Sequence, residues 1–416
     1  MVEPRSREFL AILALCMGMG AVSVDLLLPA FPDMRADLGL AEGSTSISVV
    51  ITAFFIGVAA GQLVYGPLSD RFGRRRLLQI GMAVFLVGAV AAAVAPSLGA
   101  LVAARFVWGA GSAAPRSLAI AMVRDTYEGD RMARTMSLLM AIFLLVPVVA
   151  PSIGTVILEF ASWRGVVGAQ IAVAGALALW TLRLPETLHA DDRRAVTPRA
   201  LKDAARVVAT NRATVGYGLG VSALFGVLTG FVGSAEVIFD EVFDQADRFA
   251  LLFGGIGLVL AAGSLVGGRL VTRFGLASVL VAACAYVLTA ATVLLVIVLA
   301  TDGKPPLWAF ILGLALLLTG IMVLIPNANA AAMAPLGHVA GMGAALLGFA
   351  STAIGAVLGS FVDDAFDGTV QPFATYAFAY VLVAAAAMLG LAGVRRVPRR
   401  ATGTLPIDGV EPVPAV

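Results

Sequence analysis

Charge is scarce in this sequence: Asp, Glu, Lys and Arg together make 13% of 416 residues, about half the share that a soluble globular domain carries. That scarcity excludes a soluble globular protein. Cysteine and histidine are scarcer still. Cys16 and Cys284 lie far apart inside apolar runs, which leaves neither a disulfide framework nor a clustered metal site. His189 and His338 have no partner at metal-ligand spacing. No Walker A loop, zincin helix or nucleophile elbow occurs, so neither an enzyme nor an ATP-driven pump is expected. Gly109-Ala110-Gly111-Ser112-Ala113-Ala114 loosely matches a dinucleotide fingerprint, but it lies inside an apolar run and follows no strand. No cofactor, metal or nucleic-acid partner is expected.

What the chain has in excess is apolar length. Hydrophobic residues make 60% of it and the mean hydropathy is +0.96. A helix rises 1.5 Å per residue, so a hydrocarbon core of ~30 Å asks for about 20 apolar residues. Twelve stretches meet that length: 8–30, 46–66, 77–95, 100–123, 133–158, 163–184, 213–235, 249–270, 277–300, 307–330, 339–361 and 373–394. Arg5 and Arg7 precede a first run too long for a signal-peptide core and without a small-residue cleavage site, so it reads as a retained helix.

The loops orient these spans. With a cytoplasmic N-terminus, the inner loops hold Arg71, Arg74, Arg75, Arg76, Arg124, Arg131, Arg134, Arg269 and Arg273, and basic residues crowd 183–212 and 395–400. The outer loops hold Asp33, Asp37, Glu42, Asp240, Glu241, Asp244, Asp247, Asp363, Asp364 and Asp367. This is the positive-inside bias, and it returns the C-terminus to the cytoplasm. The expected organisation is an N-terminal six-helix half (1–184), a cytoplasmic linker (185–212), a C-terminal six-helix half (213–394) and a disordered cytoplasmic tail (395–416). Within the linker, 200–206 suits either a short amphipathic surface helix or a solvated segment.

One inner loop stands out. Gly66-Pro67-Leu68-Ser69-Asp70-Arg71-Phe72-Gly73-Arg74-Arg75-Arg76 places four arginines within six residues. Its glycines suit a tight turn, and Asp70 is placed to accept hydrogen bonds from a neighbouring helix N-terminus. A loop that only sets topology would look similar. Shifted by 202 residues, the stretch falls on Gly268-Arg269-Leu270-Val271-Thr272-Arg273-Phe274-Gly275, matching Gly, Leu, Arg, Phe and Gly. Six spans repeated in one orientation form a transporter architecture with its substrate site between the halves. The second copy has Thr272 for Asp70 and lacks the arginine triplet, so the halves are not expected to gate alike.

Three ionisable residues lie well inside the expected spans: Asp25, Arg105 and Arg116. Such residues are costly in hydrocarbon and are functional candidates. Asp25 and Arg105 fall at similar depth in the outer half, where they suit either a proton-binding site or a static ion pair. Arg116 lies eleven residues beyond Arg105 on the same helical side, about 16 Å along the axis, and either lines a cavity or snorkels to a headgroup. Pro147, Pro151 and Gly154 predict a bend in span 5 at the interface between halves. Gln62, Asn327 and Asn329 put amides on otherwise apolar helices, for substrate or for a neighbouring helix.

These residues resemble the major facilitator superfamily, in its twelve-span drug:proton antiporter branch. The 66–75 stretch matches the superfamily's loop motif G-x-L-x-D-R-x-G-R-R. Arg105-Phe106-Val107-Trp108-Gly109-Ala110-Gly111 resembles R-x-x-Q-G-x-G, and Ala150-Pro151-Ser152-Ile153-Gly154-Thr155 resembles the antiporter motif G-P-x-x-G-G. Asp25-Leu26-Leu27-Leu28-Pro29-Ala30-Phe31-Pro32 is similar to the D-M-Y-L-P-A-x-P segment of bicyclomycin and chloramphenicol exporters, and Pro326-Asn327 with Val339-Ala340-Gly341 suits the same group. Trp108 replaces the usual glutamine, Leu27 the tyrosine, and Ala150 and Thr155 the glycines.

The resemblance implies an all-α membrane protein of two pseudo-symmetric six-helix bundles, monomeric, in the cytoplasmic membrane. It implies exchange of protons for lipophilic drugs, with phenicols as candidates, driven by the proton gradient. Asp25 would carry the proton and Arg105 would be its electrostatic partner. Gly66, Asp70, Arg71, Gly73, Arg74 and Arg75 would form a cytoplasmic gate. Leu28, Gln62, Trp108, Arg116, Asn327 and Asn329 are the candidates for the substrate cavity. A metabolite exporter or proton symporter of the same fold is the alternative, and a non-transporting membrane sensor or assembly partner the one from another class.

Overall fold

The computed structural model describes residues 2–189, 191 and 198–392. The expected tail at 395–416 and part of the linker lie outside the described residues. The first half contains α1 (Arg7–Asp25), the short α2 (Phe31–Asp37), α3 (Val49–Phe72), α4 (Arg74–Ala93), α5 (Leu98–Thr126), α6 (Gly129–Leu158) and α7 (Trp163–Thr181). A connecting helix, α8 (Pro198–Thr210), leads to α9 (Arg212–Val237), α10 (Phe249–Phe274), α11 (Leu276–Ala300), α12 (Leu307–Met333), α13 (Ala340–Asp364) and α14 (Gln371–Ala386). No strand occurs among the described residues.

Eleven of these helical segments are long and apolar enough to cross a membrane. α5 is the twelfth: it has 29 residues, but Arg105, Arg116 and many small residues lower its hydropathy. Large apolar side chains are exposed on the outward faces, among them Val87, Leu179 and Leu251. Water would not tolerate so much exposed apolar surface, whereas lipid chains match it. The chain is a multi-pass membrane protein. The end that carries the 66–76 turn is called inner below, after the charge bias, and the opposite end outer.

Caps start the helices where the sequence offers them. Ser6, Ser97 and Asn211 accept backbone N–H groups of the first turns of α1, α5 and α9. Packing within the first half depends on glycine. A Cβ on Gly109 would overlap the Phe54 carbonyl of α3, and one on Gly111 or Gly88 would overlap the backbone of the facing α4 or α5. The glycine run that loosely matched a nucleotide fingerprint therefore lets three helix backbones touch.

The first span departs from its expected form. α-Helix stops at Asp25, a 3₁₀ turn covers Leu28–Ala30, and α2 follows from Phe31. Pro29 and Pro32 lack the N–H that would continue the ladder. The 200–206 segment falls in α8, whose Lys202 and Arg206 are exposed while Ala204 is buried. The 202-residue echo is reproduced in backbone geometry. Gly73 ends α3 at φ 96°, ψ 153°, and Gly275 ends α10 at φ 79°, ψ 155°. Arg71 lies over Phe72 at 5.0 Å and Arg273 over Phe274 at 5.3 Å.

The halves meet along two seams, α3 against α13 and α6 against α10. Phe55 meets Phe225 edge-on at 5.5 Å across them.

Candidate functional site

The break in α1 organises the outer part of the first half. Leu27 N–H turns to the Val24 carbonyl at 3.1 Å, so the Ser23 carbonyl loses its helical partner. Arg105 takes that place. Its Nη1 donates to Ser23 O at 2.9 Å and its Nε to Val50 O at 3.3 Å. The guanidinium lies between the rings of Phe54 and Trp108, at 4.5 and 4.8 Å, and the residue is 1% exposed. Asp25, two residues past Ser23, is also buried.

The expected electrostatic pair is not formed. Among the described residues no ion pair joins Asp25 to Arg105. Similar depth did not bring the charges together, because the broken helix end offers Arg105 carbonyl oxygens and the flanking rings offer it π-faces. α6 seals the break from another side. A Cβ on Gly154 would overlap the Leu26 carbonyl, so the antiporter-like Pro151 and Gly154 seat α6 on α1 inside one half. Pro147 and Val148 instead face Gly257 of α10, at the seam between halves where the bend was expected. α6 runs without interruption through both prolines.

Two cavity candidates are overturned. Leu28 and Trp108 are both fully buried. Trp108 packs edge-on against Phe54 and Phe85 at 6.5 and 5.6 Å, which makes it core between α3 and α4. The other candidates are more open. Arg116 is exposed and lies 4.5 Å over the Phe143 ring. Gln62 sits on the α3–α13 seam, its Nε2 3.5 Å from Thr352 Oγ1 and its Oε1 without a partner. Asn327 donates to its own helix at Val323 O, 2.7 Å, and Asn329 is half-buried on the same helix.

At the inner end, Arg74 joins several elements. Its Nη1 bonds Asp70 at 2.5 Å and Ser69 Oγ at 2.6 Å, while its Nε reaches Asp125 of α5 at 3.0 Å. Arg75 donates to the Leu182 carbonyl at the end of α7, 2.5 Å. The carboxylate that caps a helix here is not Asp70 but Glu186. It accepts the N–H groups of Arg74 at 2.8 Å and Arg75 at 3.2 Å, completing the first turn of α4. Glu186 lies directly beneath Gly73, where any Cβ would collide with it. Asp70 nevertheless approaches the other half: a Cβ on Gly341, at the start of α13, would stand 3.9 Å from its Oδ2, and one on Gly66 3.9 Å from Ala345. Arg71 is exposed.

Four functional candidates were missed by the sequence reading. Glu186 stands among the polar residues after span 6, where nothing marks it as a cap. Arg35 and Glu236 form a buried bidentate pair at the outer end, both bonds 2.8 Å. Asp363, expected in an outer loop, belongs to the last turn of α13 and is buried.

The match to known families decides the class. Residues 10–360 fit the model described as Major Facilitator Superfamily. The chain belongs to the major facilitator superfamily. It is thus a membrane transporter rather than an enzyme. An uncharacterised MFS-type transporter of Bacillus subtilis is 30% identical over 400 residues, covering 94% of this chain and 97% of that protein. A bicyclomycin resistance protein homolog of Haemophilus influenzae is 29% identical, covering 85% and 88%. The crystal structure of the human organic anion transporter MFSD10 superposes with TM-score 0.69 at 19% identity, covering 93% of this chain and 100% of that one. This last likeness concerns the fold alone. The twelve-helix facilitator fold expected from the motifs is the one observed.

Proposed function

We propose that this transporter exports lipophilic drugs, phenicols among them, across the cytoplasmic membrane in exchange for protons. Its two halves rock about the α3–α13 and α6–α10 seams so that a central site faces each side in turn. The observation that carries this reading is Asp25: a carboxyl buried at a helix break, without a cation partner among the described residues, in a chain similar to a relative named for drug resistance. A buried acid not tied to an arginine is free to take and release a proton. Arg105 holds the break open by its bonds to Ser23 and Val50.

Arg116, Gln62, Asn327 and Asn329 contribute the polar groups of the passage. Asp70, with Arg71, Arg74 and Arg75, forms the inner latch against α13, and Glu186 fixes its turn. The proton gradient supplies the energy and both termini lie in the cytoplasm. The protein works as a monomer whose two halves are 1–184 and 213–394. In proteoliposomes under an imposed pH gradient, the wild-type protein is expected to drive phenicol flux against the direction of proton flow. Asp25→Asn should abolish that drive while leaving drug binding and folding intact. Proton-driven flux at the wild-type rate in Asp25→Asn removes Asp25 from the mechanism, and flux in the direction of the protons makes the protein a symporter.

A further inference from the structure

The outer end holds a second buried acid that the exchange cycle above does not use. Asp363 is 2% exposed. It lies on α13 where that helix crosses α9, and its carboxyl rests on the bare backbone of Gly233, leaving no room for a Cβ there. The Thr45–Ser48 turn of the other half packs over both helices.

Among the described residues, one oxygen of this carboxyl is left without a donor. Asp363 Oδ1 has no hydrogen-bond partner. The Ser48 hydroxyl faces the carboxyl and also lies 2.7 Å from the Thr45 carbonyl, so the two acceptors compete for its one hydrogen. When that hydrogen stays on Thr45, Ser48 offers Asp363 a lone pair, which only a protonated acid can use. No arginine or lysine among the described residues pairs with Asp363. Arg35, from α2, commits both Nη atoms to Glu236 of α9. The ionisable group that acts on Asp363 is another acid, Asp364 on the same helix, while Asp240 and Glu241, just beyond α9, act on Glu236. The Thr45–Ser48 turn contributes none.

We propose that Asp363 is a proton-binding site distinct from Asp25, and that the outer seal between the halves closes only when Asp363 carries a proton. With the outer side open, water solvates the Asp363 carboxylate. Closure brings Ser48 over it, strips that water, and is completed by the Arg35–Glu236 pair. A proton taken from the outer side then sits as an O–H donating to Ser48 Oγ. The inference uses the proton-exchange reading only to give the closure a role in transport; the pH dependence of closure stands apart from it.

The test measures closure directly, without substrate. Spin labels placed at Glu42→Cys and Lys304→Cys, two exposed outer positions in different halves, report the outer separation by pulsed electron resonance, with Cys16 and Cys284 replaced by alanine. From about pH 5 to pH 9, a long-distance population is expected to grow as pH rises. Asp363→Asn, which keeps the shape of the neutral acid, should hold the short distance throughout. Ser48→Ala, which removes the acceptor of one hydrogen bond, should shift the midpoint roughly 0.5–1 pH unit lower, and it decides the matter if Asp363→Asn fails to fold. A wild-type distance independent of pH overturns the proposal. So does an unshifted midpoint in Ser48→Ala, or wild-type pH dependence in Asp363→Asn. In Asp25→Asn the pH dependence should persist even though exchange is lost. Its disappearance there assigns the switch to Asp25 and overturns the role of Asp363.

Discussion

Replacing Arg105 and Asp25 singly and together distinguishes a carbonyl-held arginine from an ion pair. Arg105 makes two hydrogen bonds to buried carbonyls, each worth about 1.5–3 kcal/mol from a charged donor. Arg105→Ala should therefore cost about 3–6 kcal/mol. The entropy of melting grows with length, so in a chain of 416 residues each kcal/mol lowers the midpoint by about 1 °C. Asp25→Asn removes no partner of Arg105 and should move the midpoint by less than about 1 °C. The double variant should then match the sum of the singles within about 1 kcal/mol. Cys16 and Cys284 are both buried, so a fluorogenic thiol dye reads unfolding in detergent without added labels. A buried ion pair would instead leave an uncompensated charge in each single variant, with a coupling of about 3–5 kcal/mol. Coupling of that size refutes the carbonyl-held arrangement.

The inner turns supply an internal comparison. Gly73→Ala and Gly275→Ala both force a side chain to positive φ, at about 1–2 kcal/mol each, but only the first also collides with a carboxylate, Glu186. Thermal melts should show the larger loss in Gly73→Ala, and equal losses would dismiss the Glu186 contact. Asp70→Ala should impair transport far more than Thr272→Ala, because among the described residues the Thr272 hydroxyl bonds only its own helix at Arg269 O; flux measured at equal protein density decides this. Trp108→Phe should lower stability by about 1–3 kcal/mol yet leave the order of preference within a substrate panel unchanged. A reordered panel would return Trp108 to the cavity.

What the sequence could carry was local. Spans were legible because hydrocarbon thickness sets a length that any one run meets or fails by itself. The inner turn and its echo were legible because a glycine at positive φ is needed wherever the chain doubles back between two packed helices, at Gly73 and again at Gly275. Azimuth was not legible. A helix apolar all round has no marked face, so Trp108 stood among the cavity candidates although it is core, and Asp25 was matched to Arg105 by depth and by the resemblance.

The ends of helices misled for a different reason. The apolar windows stop at 235 and 361, but the helices continue to Val237 and Asp364, because a helix buried against its neighbours need not end where lipid contact ends. Asp363 thus looked like a loop acid and Glu236 fell just outside its span, while both lie in protein. Their burial depends on contacts between the halves: Arg35 is 201 residues from Glu236, and the Thr45–Ser48 turn belongs to the half opposite α13. In an alternating-access transporter, such contacts exist on one side only while that side is shut. An acid buried in part by them has a proton affinity that changes with the conformation, whereas Asp25 ends α1, which packs on α5 and α6 of the same half, and keeps much of its surroundings through the cycle. The two carboxyls should therefore respond differently to the same motion, one acting as cargo site and the other as a condition for closing.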